Sequence, residues 1–325
     1  MAGKRILIVK LSSLGDLFHA LPAVHNLKVQ LDAEVDWVTQ SDYVELVRCF
    51  TDVNRVISFA RHAVLRGLRP LVRSVRQTEY DLVVDLQGLL KSACVARLAR
   101  ARKVIGPSFH REGTGLFYTA IAGRRDKNRH AVEENLDVVR YLGLEVLTPE
   151  FPIRFPEAAV AQPVPRIGLV PVSRWPAKNW AAESFAEAAR RLQKEAGATI
   201  FLFGGPSDAS ACERIAASLG SPVVNVAGRT TLVEMGGLFA KMHLVIANDS
   251  GPLHMAAAVG VPVLGIYGPT DPRRTGPFGR RNAVVAAAAD CRPCFRRICG
   301  RGGAGCIADI RPAQVVEAAM RMLGK

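Results

Sequence analysis

Short runs of aliphatic and β-branched residues, each followed by a stretch of helical periodicity, recur along the chain in two series. The first comprises RILIVK at 5–10, EVDWVT at 34–39, RVISF at 55–59 and DLVVDL at 81–86. Runs of this length and composition suit strands covered on both faces, the situation in a parallel sheet flanked by crossover helices. Between the first two runs Leu17, Leu21, Val24, Leu27 and Leu31 fall at helical spacing, which predicts a β-α-β unit. The second series comprises RIGLVP at 166–171, ATIFLFG at 198–204, PVVNVA at 222–227, LVIAND at 244–249 and PVLGIYG at 262–268. Separating them, residues 148–165 hold five of the 19 prolines, a composition poor for helix and central strand alike. The chain is therefore read as α/β, with two Rossmann-like, doubly wound parallel-sheet domains at 1–155 and 156–325. Such domains are expected to face a central cleft, with ligands at the carboxyl ends of the strands. An amphipathic final helix at 313–323 could dock on either domain.

With 325 residues, two cores can be filled, and 49% hydrophobic with 22% charged residues is an ordinary globular balance. No apolar run approaches the ~18 residues that a membrane span requires. The amino terminus lacks a secretory pattern, so a cytoplasmic location with reduced cysteines is expected. A formal charge of +14 favours anionic partners such as phosphorylated metabolites or an acidic leaflet. Much of the excess lies at 61–129, where 15 Lys or Arg face 5 Asp or Glu. Aromatic residues are only 6% and do not interleave with basic runs, which argues against nucleic acid.

Four segments carry chemistry. After the first strand, Ser12, Ser13, Gly15 and Asp16 lead into a helix. Gly15 permits close backbone approach, and an ionised Asp16 could serve as a general base; the same residues are also good helix caps. After LVIAND come Asp249, Ser250, Gly251, Pro252 and His254. With Pro252 at the first helical position, Ser250 and Gly251 would offer free N–H groups to a diphosphate, with His254 aimed at the same anion or else packed under the helix. Ser173, Arg174 and Lys178 follow the strand that ends at Pro171, and an ammonium there would neutralise a leaving diphosphate. Thr231 and Glu234 have the spacing of a capping box, and Glu234 is equally suited to accept ribose hydroxyls.

Other patterns carry less. There is no P-loop, no G-x-G-x-x-G opening the first helix, no Asp-x-Asp pair and no nucleophile elbow. Cys291, Cys294, Cys299 and Cys306 lie within 16 residues, but their spacing departs from paired C-x-x-C. Surface-loop thiols are the expectation and a structural metal the lesser reading; no cofactor is called for. Arg66, Arg69, Arg73 and Arg76 form a helical stripe that Gly67 and Pro70 interrupt, so the helix is expected to start near Pro70 with a solvated arginine face.

KLSSLGD at 10–16, DLQGLLKSA at 85–93, the Lys178 segment, NDSGPLHMAAA at 248–258 and YGPTDP at 267–272 together resemble the ADP-heptose:lipopolysaccharide heptosyltransferases, the heptosyltransferase I branch most of all. The resemblance implies a GT-B fold and inverting, metal-independent transfer of heptose from ADP-heptose to the Kdo region of lipopolysaccharide. It implies Asp16 as base. It also implies that Ser173, Lys178, Glu234, Asp249, Ser250, Gly251 and His254 bind the donor. Ser12, Ser13, Gly15, Gln87 and Lys91 would then lie near an anionic Kdo-lipid A acceptor, and the enzyme would be peripheral on the inner face of the inner membrane. The alternatives are a nucleotide-sugar epimerase or hydrolase of the same plan, or a non-catalytic nucleotide-binding module.

Overall fold

The computed structural model describes residues 3–60, 64–220, 222–300, 302–303 and 305–325, and the backbone alone of 64–66. These form two compact units, Met1–Arg154 and Phe155–Lys325. The first contains strands β1 (Lys4–Val9), β2 (Ala33–Gln40), β3 (Arg55–Phe59), β4 (Glu79–Asp85), β5 (Arg100–Pro107) and β6 (Ala120–Ala122). The second contains β7 (Arg166–Val170), β8 (Thr199–Leu202), β9 (Val223–Asn225), β10 (Leu244–Asn248), β11 (Val263–Tyr267) and β12 (Ala283–Ala286). All pairings within each sheet are parallel.

Sheet order is β3-β2-β1-β4-β5-β6 in the first unit and β12-β11-β10-β7-β8-β9 in the second. Each sheet therefore has its first and fourth strands side by side at the centre, and the chain runs outward in opposite directions from that pair. This reversal is the point at which an open α/β sheet leaves room for a ligand beyond its carboxyl edge. In the first unit it places the loop after β1 (residues 10–16) beside the loop after β4 (residues 86–92), with Val9 level with Asp85. In the second it places residues 171–180, after β7, beside residues 249–254, after β10, with Val170 level with Ala247. Three of the four chemistry-bearing segments thus sit at a reversal point, while Thr231 and Glu234 follow the edge strand β9.

Burial explains why the strands are where they are. Ile6 to Val9 and Leu244 to Ala247 are buried on both strand faces, as crossover helices demand. The first helix, Leu14–Leu31, buries Leu17, Leu21, Val24 and Leu27 at the expected spacing. Strands β5, β6 and β12 are additional to those read from the sequence. The first opens on Arg100, Arg102 and Lys103, and the second is three residues long, so neither carries an apolar run. The final helix, Pro312–Met322, packs on the helix Ala182–Ala196 and contributes Val315, Val316 and Ala319 to the core of the second unit.

Two expectations need correction. The arginine-bearing helix spans Val64–Val75 with Pro70 inside it rather than at its start. Burial of Leu71 and Val75 holds it to the sheet, while Arg69, Arg73 and Arg76 are exposed and the side chain of Arg66 lies outside the described residues. Pro252 occupies the second helical position, because Ser250 is the N-cap and Gly251 opens the helix Gly251–Ala258. Among the described residues, no helix is long and apolar enough to cross a membrane.

Gly106 on β5 permits a close approach, since a Cβ there would lie 2.1 Å from the ring of Tyr118. Gly106→Ala is expected to cost about 1–3 kcal/mol by forcing that ring aside. Denaturant unfolding would measure it, and adding Tyr118→Ala should recover part of the loss.

Candidate functional site

The loop after β1 turns directly into the first helix, with Ser13 as N-cap and Asp16 at the third helical position. Asp16 Oδ2 accepts from the Ser13 N–H at 3.0 Å and from Ser13 Oγ at 2.8 Å. The carboxylate therefore caps the helix and is held in one orientation, and at 43% side-chain exposure it remains reachable. Cap and base readings are thus compatible in one residue. His19 Nδ1 lies 4.0 Å from Asp16 Oδ1, and its ring stands edge-on to His130.

Lys10, on which sequence reasoning made no separate proposal, is buried beneath this loop. Its Nζ donates to the Leu86 carbonyl at 2.6 Å, with the Phe109 ring 5.8 Å away. Burial lowers its pKa, against the pull of Asp16, Asp85 and Glu134, in that order. The signal that could have found it is a lone lysine ending an otherwise apolar strand.

Across the reversal point, Asp85 is fully buried at the end of β4. Its carboxylate accepts from the Gln87 and Gly88 N–H groups, Ser92 Oγ and Tyr118 Oη. Burial raises its pKa while those four bonds lower it. Gln87 Oε1 accepts from the Leu11 and Ser12 N–H groups at 3.2 and 3.0 Å. Lys91 is half-buried in the first turn of the helix Leu90–Leu98. Ser12, Ser13, Gly15, Asp16, Gln87 and Lys91 therefore all belong to one pair of neighbouring loops.

In the second unit, Lys178 Nζ lies 2.6 Å from Asp249 Oδ2, with side-chain exposures of 15% and 5%. Thr270 Oγ1 also donates to Asp249 Oδ2 at 2.6 Å, while the Tyr267 hydroxyl donates to the Thr275 carbonyl at 2.7 Å. The Lys178 ammonium rests 4.5 Å from the centre of the Trp175 ring, which Arg297 approaches at 5.2 Å. Asn248 joins the loops, accepting from the Trp180 N–H and donating to the Pro171 carbonyl at 2.7 Å. Ser173 donates its N–H to Asn179 Oδ1 and its hydroxyl to the Trp175 carbonyl.

Ser250 Oγ is buried and meets no partner among the described residues. Gly251 supplies an N–H at the start of the helix, Pro252 has none, and the Leu253 N–H bonds to the Ser250 carbonyl. His254 is 7% exposed and packs within the first turn. Thr231 and Glu234 form the capping box in full, with both Thr231 donors on Glu234 Oε2 and the Glu234 N–H on Thr231 Oγ1. The Thr231 backbone bond lowers the Glu234 pKa, and Oε1 takes no part in the box.

Cys291, Cys294, Cys299 and Cys306 line one pocket of about 350 Å³, together with Ala177 and Pro269. All four are free thiols, and burial, with the neighbouring thiols, raises the Cys306 pKa. Among the described residues, no three His, Cys, Asp or Glu side chains are grouped so as to hold a metal ion. The cysteine loop is tied to the reversal point through the Cys294 and Phe295 N–H groups on the Pro269 carbonyl and the Ala177 N–H on the Arg297 carbonyl.

Two stability measurements follow from these burials. Removing one partner of a buried pair strands the other, typically at about 3–5 kcal/mol. Lys178→Met should therefore destabilise the second unit, and adding Asp249→Asn should restore most of the loss in chemical denaturation. Lys10 has a folded pKa below its unfolded one, so its charge opposes folding at neutral pH, and that penalty disappears as pH rises through the folded toward the unfolded value. Lys10→Met should gain most in melting temperature relative to the parent near pH 7, with the gain shrinking toward pH 10.

The family model for glycosyltransferase family 9 (heptosyltransferase) matches residues 68–304. Lipopolysaccharide heptosyltransferase 1 of Pseudomonas aeruginosa is 29% identical over 317 residues, covering 91% of this chain and 87% of that protein. The crystal structure of the glycosyl transferase family 9 from Veillonella parvula superposes with a TM-score of 0.87 at 21% identity, covering 98% of this chain and 97% of that one. The E. coli heptosyltransferase WaaC with ADP superposes with a TM-score of 0.81 at 24% identity, covering 98% and 99%.

Proposed function

Because the chain belongs to glycosyltransferase family 9, the heptosyltransferases, we propose that it moves heptose from ADP-heptose to the Kdo-bearing inner core of a lipid A precursor, with inversion at the anomeric carbon. The observation that carries this reading is the pairing of Lys178 with Asp249 beside the Ser250–Gly251 helix start, a donor-rich loop pair at the reversal point of the second sheet. A transferase is the coarser conclusion, and with it the epimerase, hydrolase and non-catalytic readings give way. The relatives bear on the finer one through what their own descriptions state: lipopolysaccharide heptosyltransferase 1, and WaaC with ADP.

In the proposed reaction Asp16 takes the proton of an acceptor hydroxyl as its oxygen bonds to the anomeric carbon. The bond from that carbon to the diphosphate breaks, and its electron pair leaves with ADP. Negative charge develops on the diphosphate, where a positioned ammonium and a helix N-terminus stabilise it. Lys178 supplies the first and Gly251 N–H the second, with Ser250 Oγ available as a further donor. Glu234 Oε1 is assigned to a ribose hydroxyl, leaving Oε2 in the cap. Ser173 and His254 complete the donor side in this reading, while Ser12, Ser13, Gly15 and Lys91 border the acceptor. The basic excess at 61–129 suits an anionic glycolipid at the inner face of a membrane. No cofactor or metal is assigned a role.

Mass spectrometry of products from ADP-heptose and a Kdo-bearing lipid A precursor should detect a lipid one heptose heavier. Free heptose or an epimerised nucleotide formed without acceptor would contradict the reading. Loss of a general base costs roughly 10² to 10⁴ in rate. Asp16→Ala should accordingly lower turnover by about that factor and leave ADP affinity unchanged.

A further inference from the structure

We infer that Gln87 is a positioning residue for the Asp16 loop, held in place by Asp85, rather than a contact for the acceptor. Beyond Val9 the strand β1 stops pairing with β4, and the Leu11 and Ser12 N–H groups have passed the end of the sheet. Part-buried amides of this kind require an acceptor. Gln87 Oε1 provides it for both, at 3.2 and 3.0 Å, continuing the ladder with a side chain where backbone has run out. One peptide further on, Ser13 gives its N–H and hydroxyl to Asp16 Oδ2. Gln87 therefore holds the two peptides that lead, through the chain itself, into the residue bonded to the Asp16 carboxylate.

Gln87 is itself fixed. Asp85 Oδ1 accepts from the Gln87 N–H at 2.7 Å and the Gly88 N–H at 3.1 Å, and Oδ2 accepts from Ser92 Oγ and Tyr118 Oη, both at 2.8 Å. Gly88 adopts φ +69°, the left-handed region that favours glycine, and a Cβ there would meet Pro107 and His110 at 2.9 and 3.0 Å. Lys10 Nζ on the Leu86 carbonyl ties the two loops a third time. Groups in such a device act by holding geometry, and a misplacement of about 1 Å can cost on the order of 100-fold in rate.

The inference rests on Asp16 being the base, and the test separates the two. Gln87→Met removes the accepting oxygen at similar length, whereas Gln87→Glu keeps an accepting oxygen and loses the amide's own donor. With ADP-heptose and the Kdo-bearing precursor, Gln87→Met should lower kcat by about 10- to 100-fold, with KM for both substrates within about twofold of the parent. Gln87→Glu should retain most of kcat above neutrality. Adding Gln87→Met to Asp16→Ala should bring no further loss. An unchanged ADP dissociation constant verifies that the variants are folded.

Equal increases in acceptor KM for Met and Glu, with kcat unaltered, would overturn the positioning role in favour of acceptor contact. A full additional loss in the double variant would likewise overturn it. Parent-level turnover by Asp16→Ala alone would instead overturn the base assignment, whatever Gln87 does.

Discussion

Where a parallel sheet reverses direction at its centre, two adjacent strands end level and their chains part, leaving backbone amides that neither strand can pair. Satisfying those amides is the constraint on which both loop pairs depend. In the first unit a carboxamide and a buried carboxylate do it, Gln87 for Leu11 and Ser12 and Asp85 for Gln87 and Gly88. In the second unit Asn248 does it, bonding to Trp180 on one side and Pro171 on the other. The solution recurs with different residues, and in each case it fixes the loop that carries a charged group, Asp16 in one and Lys178 in the other.

The charged groups are held at some energetic cost. Lys10 has its ammonium inside the first unit with burial working against its charge, and the nearby carboxylates only partly offset that. Asp249 is nearly inaccessible and is paired with Lys178, with Thr270 supplying a hydrogen bond. A hydrophobic replacement of such pairs is often neutral or stabilising in proteins. Their presence is therefore better explained by what they position than by what they add to stability.

Much of this architecture was legible in the chain. Strands buried on both faces announce themselves as continuous apolar runs, and the helix Leu14–Leu31 followed its leucine spacing. Strands with mixed composition did not: β5 begins with exposed arginines, and its burial is confined to Val104 through Pro107. The motifs Ser12 to Asp16 and Asn248 to His254 were found as loops after strands, and their grouping around the reversal points follows from strand order, which no local pattern encodes. The partner of Lys178 was out of reach, because Asp249 is 71 positions away and reads locally as a loop acid. Gln87 looked like a polar site residue, and only its bonds to Leu11 and Ser12 reveal that its oxygen serves the backbone. Pro252 was placed one position early because proline suits both of the first two helical positions, and the N-cap is set by the extended backbone of Ser250.

In the proposed reaction the second unit holds the nucleotide diphosphate at the Lys178–Asp249 pair and the Gly251 helix start. Hydrogen–deuterium exchange of the whole chain with and without ADP tests it most directly. Amides of residues 173–180 and 249–255 are expected to slow markedly in ADP while the edge strand β9 stays unchanged. Exchange unaltered in both segments at saturating ADP would contradict the account.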